Sequence, residues 1–143
     1  MMPLGELYRL ADKEHISVVP FPMESREALS LMDDSGECHI ALDPGKLKGP
    51  EDHRAKLAHE LGHCITGAFY NRYATCDLRQ RHENRADKWA VRTLVPVEQL
   101  DEAVAAGCTE LWQLAEHFGL PEPMMKKAVC LHVHGNLAAE LYF

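Results

Sequence analysis

The sequence predicts an α+β fold: an N-terminal helix and a short β-sheet, followed by a mostly helical bundle. Three observations lead there. The first third alternates short apolar runs with Pro, Gly and Asp clusters, the pattern of strands and turns. From Pro50 onward the apolar residues recur at helical spacing, and prolines and glycines mark the helix ends. The 143 residues, 46% of them hydrophobic, suit one domain with a real core and little spare length. That domain, residues 1–143, divides into a helix and small sheet (1–48), a central helical part (49–95) and a C-terminal helical part (96–143).

Taken in order, residues 4–15 form a short helix with Leu7, Leu10 and Ala11 on one face. Residues 16–23 read as extended, and Pro20 and Pro22 favour an edge position because proline cannot donate to a strand ladder. Residues 28–32 and 38–42 are two strands joined by the turn Asp33-Asp34-Ser35-Gly36, and Asp43-Pro44-Gly45 ends the second. Pro50 opens a helix that runs to about Phe69. A loop over 70–77 leads to a second long helix, 79–95, stopped before Pro96. Residues 97–106 are helical up to Gly107. Thr109 caps a helix with Leu111, Leu114, Ala115 and Phe118 as its apolar stripe, closed by Gly119. A last helix covers 121–134; the tail 135–143 carries no clear pattern, and no internal repeat or low-complexity segment is present.

The net charge of −7 disfavours non-specific binding to nucleic acid. Charged residues across 1–15 leave no apolar signal segment, and no run approaches the length of a membrane span. Five cysteines, at 38, 64, 76, 108 and 130, form no C-x-x-C pair. An odd count without such pairs fits the reducing cytoplasm better than a disulfide framework, and Cys64 reads as a small buried residue.

The stretch His59-Glu60-Leu61-Gly62-His63 carries the chemistry. Positions i and i+4 share a helix face, so two imidazoles can bind one zinc ion. Glu60 beside them can take a proton from a water that the ion activates. The motif sits in a helical pattern, with Leu57, Leu61 and Ile65 recurring every fourth residue. Gly62 costs about 1 kcal/mol against alanine inside a helix, which implies a packing reason. Catalytic zinc takes three protein ligands, and Glu83 is the best third. Nineteen residues separate it from His63, enough for a loop and a return helix, on which Ala86 and Ala90 permit close approach. Asp87, one turn beyond Glu83, can accept the distal N–H of a zinc-bound histidine. His82 competes with Glu83 but lies about 100° round the helix from it. Read without the motif, Glu83 and Asp87 would be an ordinary solvated face.

The set H-E-L-G-H, E-N-R-A-D-K-W-A and L-V-P resembles the ImmA/IrrE family of zinc metallopeptidases. In that family the helix with the Glu ligand reads approximately E-x-x-A-D/N-x-F-A and runs into L-x-P. Glu83, Ala86, Asp87, Trp89, Ala90, Leu94 and Pro96 fill those positions, with Trp89 where Phe is usual. The resemblance covers about residues 6–130, and the E-x-x-x-D spacing also matches gluzincin-type peptidases. It implies a small gluzincin-like domain with a short sheet above the active-site helix. It also implies a bacterial or mobile-element protein acting on a helix-turn-helix transcriptional repressor encoded nearby, an anti-repressor. A related branch switches on DNA-damage responses.

The expected activity is zinc-dependent cleavage of a protein substrate, with Glu60 as general base and acid and Tyr70 or Tyr73 as oxyanion donor. A sheet edge, with 38–42 as the candidate, would align the peptide. The alternative is a zinc-binding regulatory partner that acts on a transcription regulator without cutting it. His132 and His134 point apart on a helix and do not form a second metal site. Residues 114–129 have the cadence of a helix-turn-helix unit. Lys126 and Lys127 are its only basic residues apart from histidines, so a helical pair packed on the core is expected instead of a DNA reader.

Overall fold

The computed structural model describes residues 2–70 and 74–137. It is an α+β fold: helix α1 (Leu4–Lys13), strands β1 (Ser17–Pro20), β2 (Ala28–Met32) and β3 (Cys38–Leu42), then helices α2 (Pro50–Thr66), α3 (Cys76–Leu94), α4 (Val97–Ala105), α5 (Leu111–Phe118) and α6 (Glu122–His134).

The strand order is β1-β3-β2. β2 and β3 form the expected antiparallel hairpin, with Ala28 opposite Leu42 and Met32 opposite Cys38. Its turn is held by Asp33 Oδ1, which accepts from the backbone N–H groups of Ser35 and Glu37 and from the Ser35 hydroxyl. β1 pairs in parallel with the other side of β3, from Ser17 opposite His39 to Pro20 opposite Leu42. Residues 38–42 are therefore the centre of the sheet and cannot receive an added strand. β2 is the edge next to α2. Cys38, Ile40 and Leu42 of β3 are buried in alternation with its half-buried residues, and such alternation does not tell which strands flank it.

α2 lies between the sheet, α1 and α3. One apolar cluster joins Leu7 and Ala11 of α1, Ile40 and Leu42 of β3, Leu57 and Leu61 of α2, Val91 and Leu94 of α3, and Phe118, Leu120 and Met125 of the C-terminal helices. Ile65, expected to continue the stripe of α2, is instead exposed, because the helix has passed the core by its last turn. α2 ends at Thr66, before the expected Phe69, where Gly67 takes a left-handed conformation at φ 69°. α3 begins before the expected Arg79, because the Thr75 side chain accepts from the Leu78 N–H and caps it. α5 is capped by Glu110, not Thr109: Gln113 completes a capping box with it.

The C-terminal helices are tied down by buried Arg54. Its Nη1 donates to the carbonyls of Phe118 (2.7 Å) and Gly119 (2.5 Å), and its Nη2 to that of Met2 (3.0 Å). A cation at the C-terminal end of α5 also meets the negative end of the helix dipole. Cys38 and Cys64 are joined in a disulfide, against the expectation of free thiols, since β3 crosses α2 with the two Cα atoms 5.9 Å apart. Counting cysteines could not reveal that juxtaposition. No helix among the described residues is long and apolar enough to cross a membrane.

Candidate metal centre

The site begins with the contact between α2 and α3. Gly62 faces the backbone of Ala86 so closely that a Cβ placed on it would lie 2.5 Å from the Ala86 carbonyl oxygen. Ala86 and Ala90 are fully buried in the same contact. The close approach brings Glu83, one turn before Ala86, over the face of α2 that carries His59 and His63. The two rings stand edge to face, with centroids 4.8 Å apart. His59 Nε2 and His63 Nε2 are 3.2 Å apart, and Glu83 Oε2 lies 2.7 Å from the first and 3.3 Å from the second.

These residues fit a metal ion. Their ligand atoms converge within 4.8 Å of one another. Ligands about 2.0–2.1 Å from a tetrahedral ion stand about 3.3 Å apart, and two of the three separations already match. Both Nδ1 atoms are engaged elsewhere, which directs the Nε2 lone pairs to the common point. His59 Nδ1–H donates to Asp87 Oδ1 at 2.7 Å, and His63 Nδ1–H donates to the Ala68 carbonyl at 2.5 Å.

The electrostatics are those of a tightly coupled cluster. Burial opposes the charged form of His59, but Asp87 and Glu83 outweigh it and raise its pKa to about 10. His63 is raised in the same contest, burial being outweighed by Glu83 and the Ala68 carbonyl. Burial would raise Glu83 and Asp87, yet the imidazoles hold Glu83 well below the usual carboxylate range, and His59 and Lys127 lower Asp87. A cation replacing the shared protons meets carboxylates already held in the charged form.

Glu60 is 9% exposed and lines a recess of about 130 Å³ with His63, Phe69, Tyr70, Glu83 and, from β2, Leu29 and Ser30. A larger recess of about 670 Å³ reaches His59, Glu83 and Asp87 from the other side, between Ala55, Pro121 and Met124. Tyr70 donates its hydroxyl to Glu83 Oε1 at 2.9 Å. Burial and that carboxylate raise its pKa. Tyr73 lies outside the described residues. His82 stacks on Tyr70 and takes no part in the cluster. His132 Nε2 donates to the Val95 carbonyl, and neither it nor His134 belongs to a ligand cluster among the described residues.

Asp33, Glu37 and His39 also gather their ligand atoms. Asp33 Oδ1 already serves the hairpin turn, and the His39 nitrogens bond Asp33 Oδ2 and Ser17 Oγ, so that group is accounted for as a turn. Two partners of the central cluster lay outside the sequence reading. One is the Ala68 carbonyl, whose only signal was Gly67 at the helix end. The other is Lys127, whose Nζ donates to Asp87 Oδ2 and which no local pattern marked.

Comparison with curated proteins gives no match. The family model described as the IrrE N-terminal-like domain (Peptidase_M78) matches residues 11–129, which includes all three converging side chains, Glu60 and Lys127. A match over that share of 143 residues settles the relationship. The chain belongs to this IrrE N-terminal-like family of peptidases.

Proposed function

We propose that the chain is a zinc-dependent endopeptidase of the cytoplasm. Its proposed substrate is one regulatory protein, a helix-turn-helix transcriptional repressor encoded nearby, so that it serves as the anti-repressor of a bacterial mobile element. The observation that carries the chemical part is the convergence of His59 Nε2, His63 Nε2 and Glu83 Oε2, with Glu60 beside them and a recess on each side. Two nitrogens, one carboxylate and room for a further ligand suit zinc in a catalytic site. The repressor partner rests on the family resemblance.

In this reading His59, His63 and Glu83 hold the ion, and Asp87 fixes the ring of His59 through its Nδ1–H. Bound zinc supplies Lewis-acid chemistry, polarising the scissile carbonyl and acidifying a water. Glu60 accepts the proton of the attacking water and delivers it to the leaving amine. Tyr70 is 36% exposed, which leaves its hydroxyl room to turn from Glu83 to the substrate oxygen. β2 pairs on one side only, so a peptide added along its free edge would pass Glu60 and His63. Recesses on both sides accommodate residues before and after the scissile bond, which favours an endopeptidase. In the reducing cytoplasm the Cys38–Cys64 pair would stand largely as thiols.

Two variants test the reading. Glu60→Gln should keep roughly one zinc per chain and lose about 10²–10⁴ in rate. Glu83→Ala should lose most of its zinc. Wild-type zinc content in Glu83→Ala would remove Glu83 from the ligands. Full release of the controlled genes by Glu60→Gln would leave regulation by binding without cleavage.

A further inference from the structure

We propose that Lys127 is a positioning residue of the metal centre: by anchoring one oxygen of Asp87 it keeps the other on His59, so that docking of α6 sets metal affinity. The inference rests on the metal-site reading above. Lys127 Nζ donates to Asp87 Oδ2 at 2.8 Å, while Asp87 Oδ1 accepts His59 Nδ1–H at 2.7 Å. The Asp87 side chain is 11% exposed, so water has little access to replace a lost partner. A carboxylate with one oxygen anchored cannot turn freely about its terminal torsion, and its second oxygen stays aimed at the imidazole. The opposite nitrogen of that ring is the one that meets Glu83 and His63. The chain of contact thus runs from α6, remote in sequence, through α3 to α2.

A neutral residue of similar length at 127 would leave Asp87 Oδ2 buried without a donor. The carboxylate would then turn toward whatever donor it can reach, and His59 would lose its fixed orientation. Partners that orient metal ligands typically contribute 10–100-fold to affinity. Lys127 acts one contact further out, so the lower end of that range is expected.

The experiment is a zinc affinity measurement by competition with a chromophoric chelator, on wild type, Lys127→Met, Lys127→Arg, Asp87→Asn and the Lys127→Met/Asp87→Asn double variant. Cobalt absorption spectra and melting of the metal-free proteins are recorded alongside. The expected result is roughly tenfold weaker zinc binding and an altered cobalt spectrum in Lys127→Met. Lys127→Arg should recover most of the affinity, and the double variant should bind no more weakly than Asp87→Asn alone. Wild-type affinity in Lys127→Met, with zinc lost in Glu83→Ala, would overturn the proposal and leave the metal site standing. Additive losses in the double variant would also overturn it, because Lys127 would then act by a route other than Asp87. Wild-type zinc binding in Glu83→Ala would remove the metal-site reading and this inference with it.

Discussion

Replacing Gly62 by alanine tests the geometry on which the metal centre depends. Two effects oppose each other. Alanine is favoured over glycine inside a helix by about 1 kcal/mol. The new Cβ, however, would lie 2.5 Å from the Ala86 carbonyl oxygen and 3.0 Å from the Ala86 Cα, whereas ordinary contact begins at 3.4 Å. The obstacle is backbone, so no side chain can turn aside, and α2 and α3 must separate by up to about 0.9 Å. Overpacking of this kind typically costs about 1–3 kcal/mol, so the steric effect equals or exceeds the helical gain. The net expectation is a loss of about 0–2 kcal/mol. The larger effect falls on the metal. Glu83 and Asp87 flank Ala86 on α3, and the separation would carry Glu83 Oε2 away from the two imidazoles. Chemical denaturation of the metal-free protein reads the first effect, and zinc competition the second. A Gly62→Ala protein more stable than wild type, with unchanged zinc affinity, would refute the argument.

Reduction of the Cys38–Cys64 bond releases a loop with a sequence separation of 26. The chain-entropy relation gives a loss of up to about 3.5 kcal/mol, to be read from urea midpoints with and without reductant. A reductant that shifts wild type and Cys38→Ser alike would show that the bond contributes nothing. A pH effect follows from His53, whose ring accepts or shares the Tyr8 hydroxyl hydrogen bond at 2.8 Å. Burial holds its pKa below the ordinary 6.5, partly offset by Asp52. The unfolded chain therefore takes up the proton first. The contribution of His53 is fully present above 6.5 and is lost as pH falls through that value toward the folded pKa. Denaturation of the metal-free protein at about pH 7.5 and about pH 5.5 should show a smaller drop in His53→Gln than in wild type, and equal drops would contradict the assignment.

The parts that were legible in the sequence are the parts fixed by local rules. Helical spacing places His59 and His63 on one face, and Gly62 and Ala86 signal a close helix pair from the residues alone. What failed depends on neighbours. Residues 38–42 read as a strand, but no local pattern tells that β1 covers its free side, so the edge open to a peptide is β2 and not the expected 38–42. Thr75 caps α3 three residues earlier than the apolar pattern suggests. Cys64 meets Cys38 only because β3 crosses α2. Lys127 looked like one of two cations on a possible recognition helix, but the packing of α6 on α3 turns its ammonium inward to Asp87. Apart from the Thr75 cap, a local bond to Leu78, each of these depends on contacts between segments far apart in the chain, which no local window contains.

In the proposed function Glu60, beside an ion held by His59, His63 and Glu83, cuts a regulatory protein. The most direct test is mass spectrometry of new protein termini in host cells that make either wild type or Glu60→Gln. New termini are expected in one regulator with wild type and none with the variant. The same termini with both proteins, or none with either while both are folded and zinc-loaded, would contradict it.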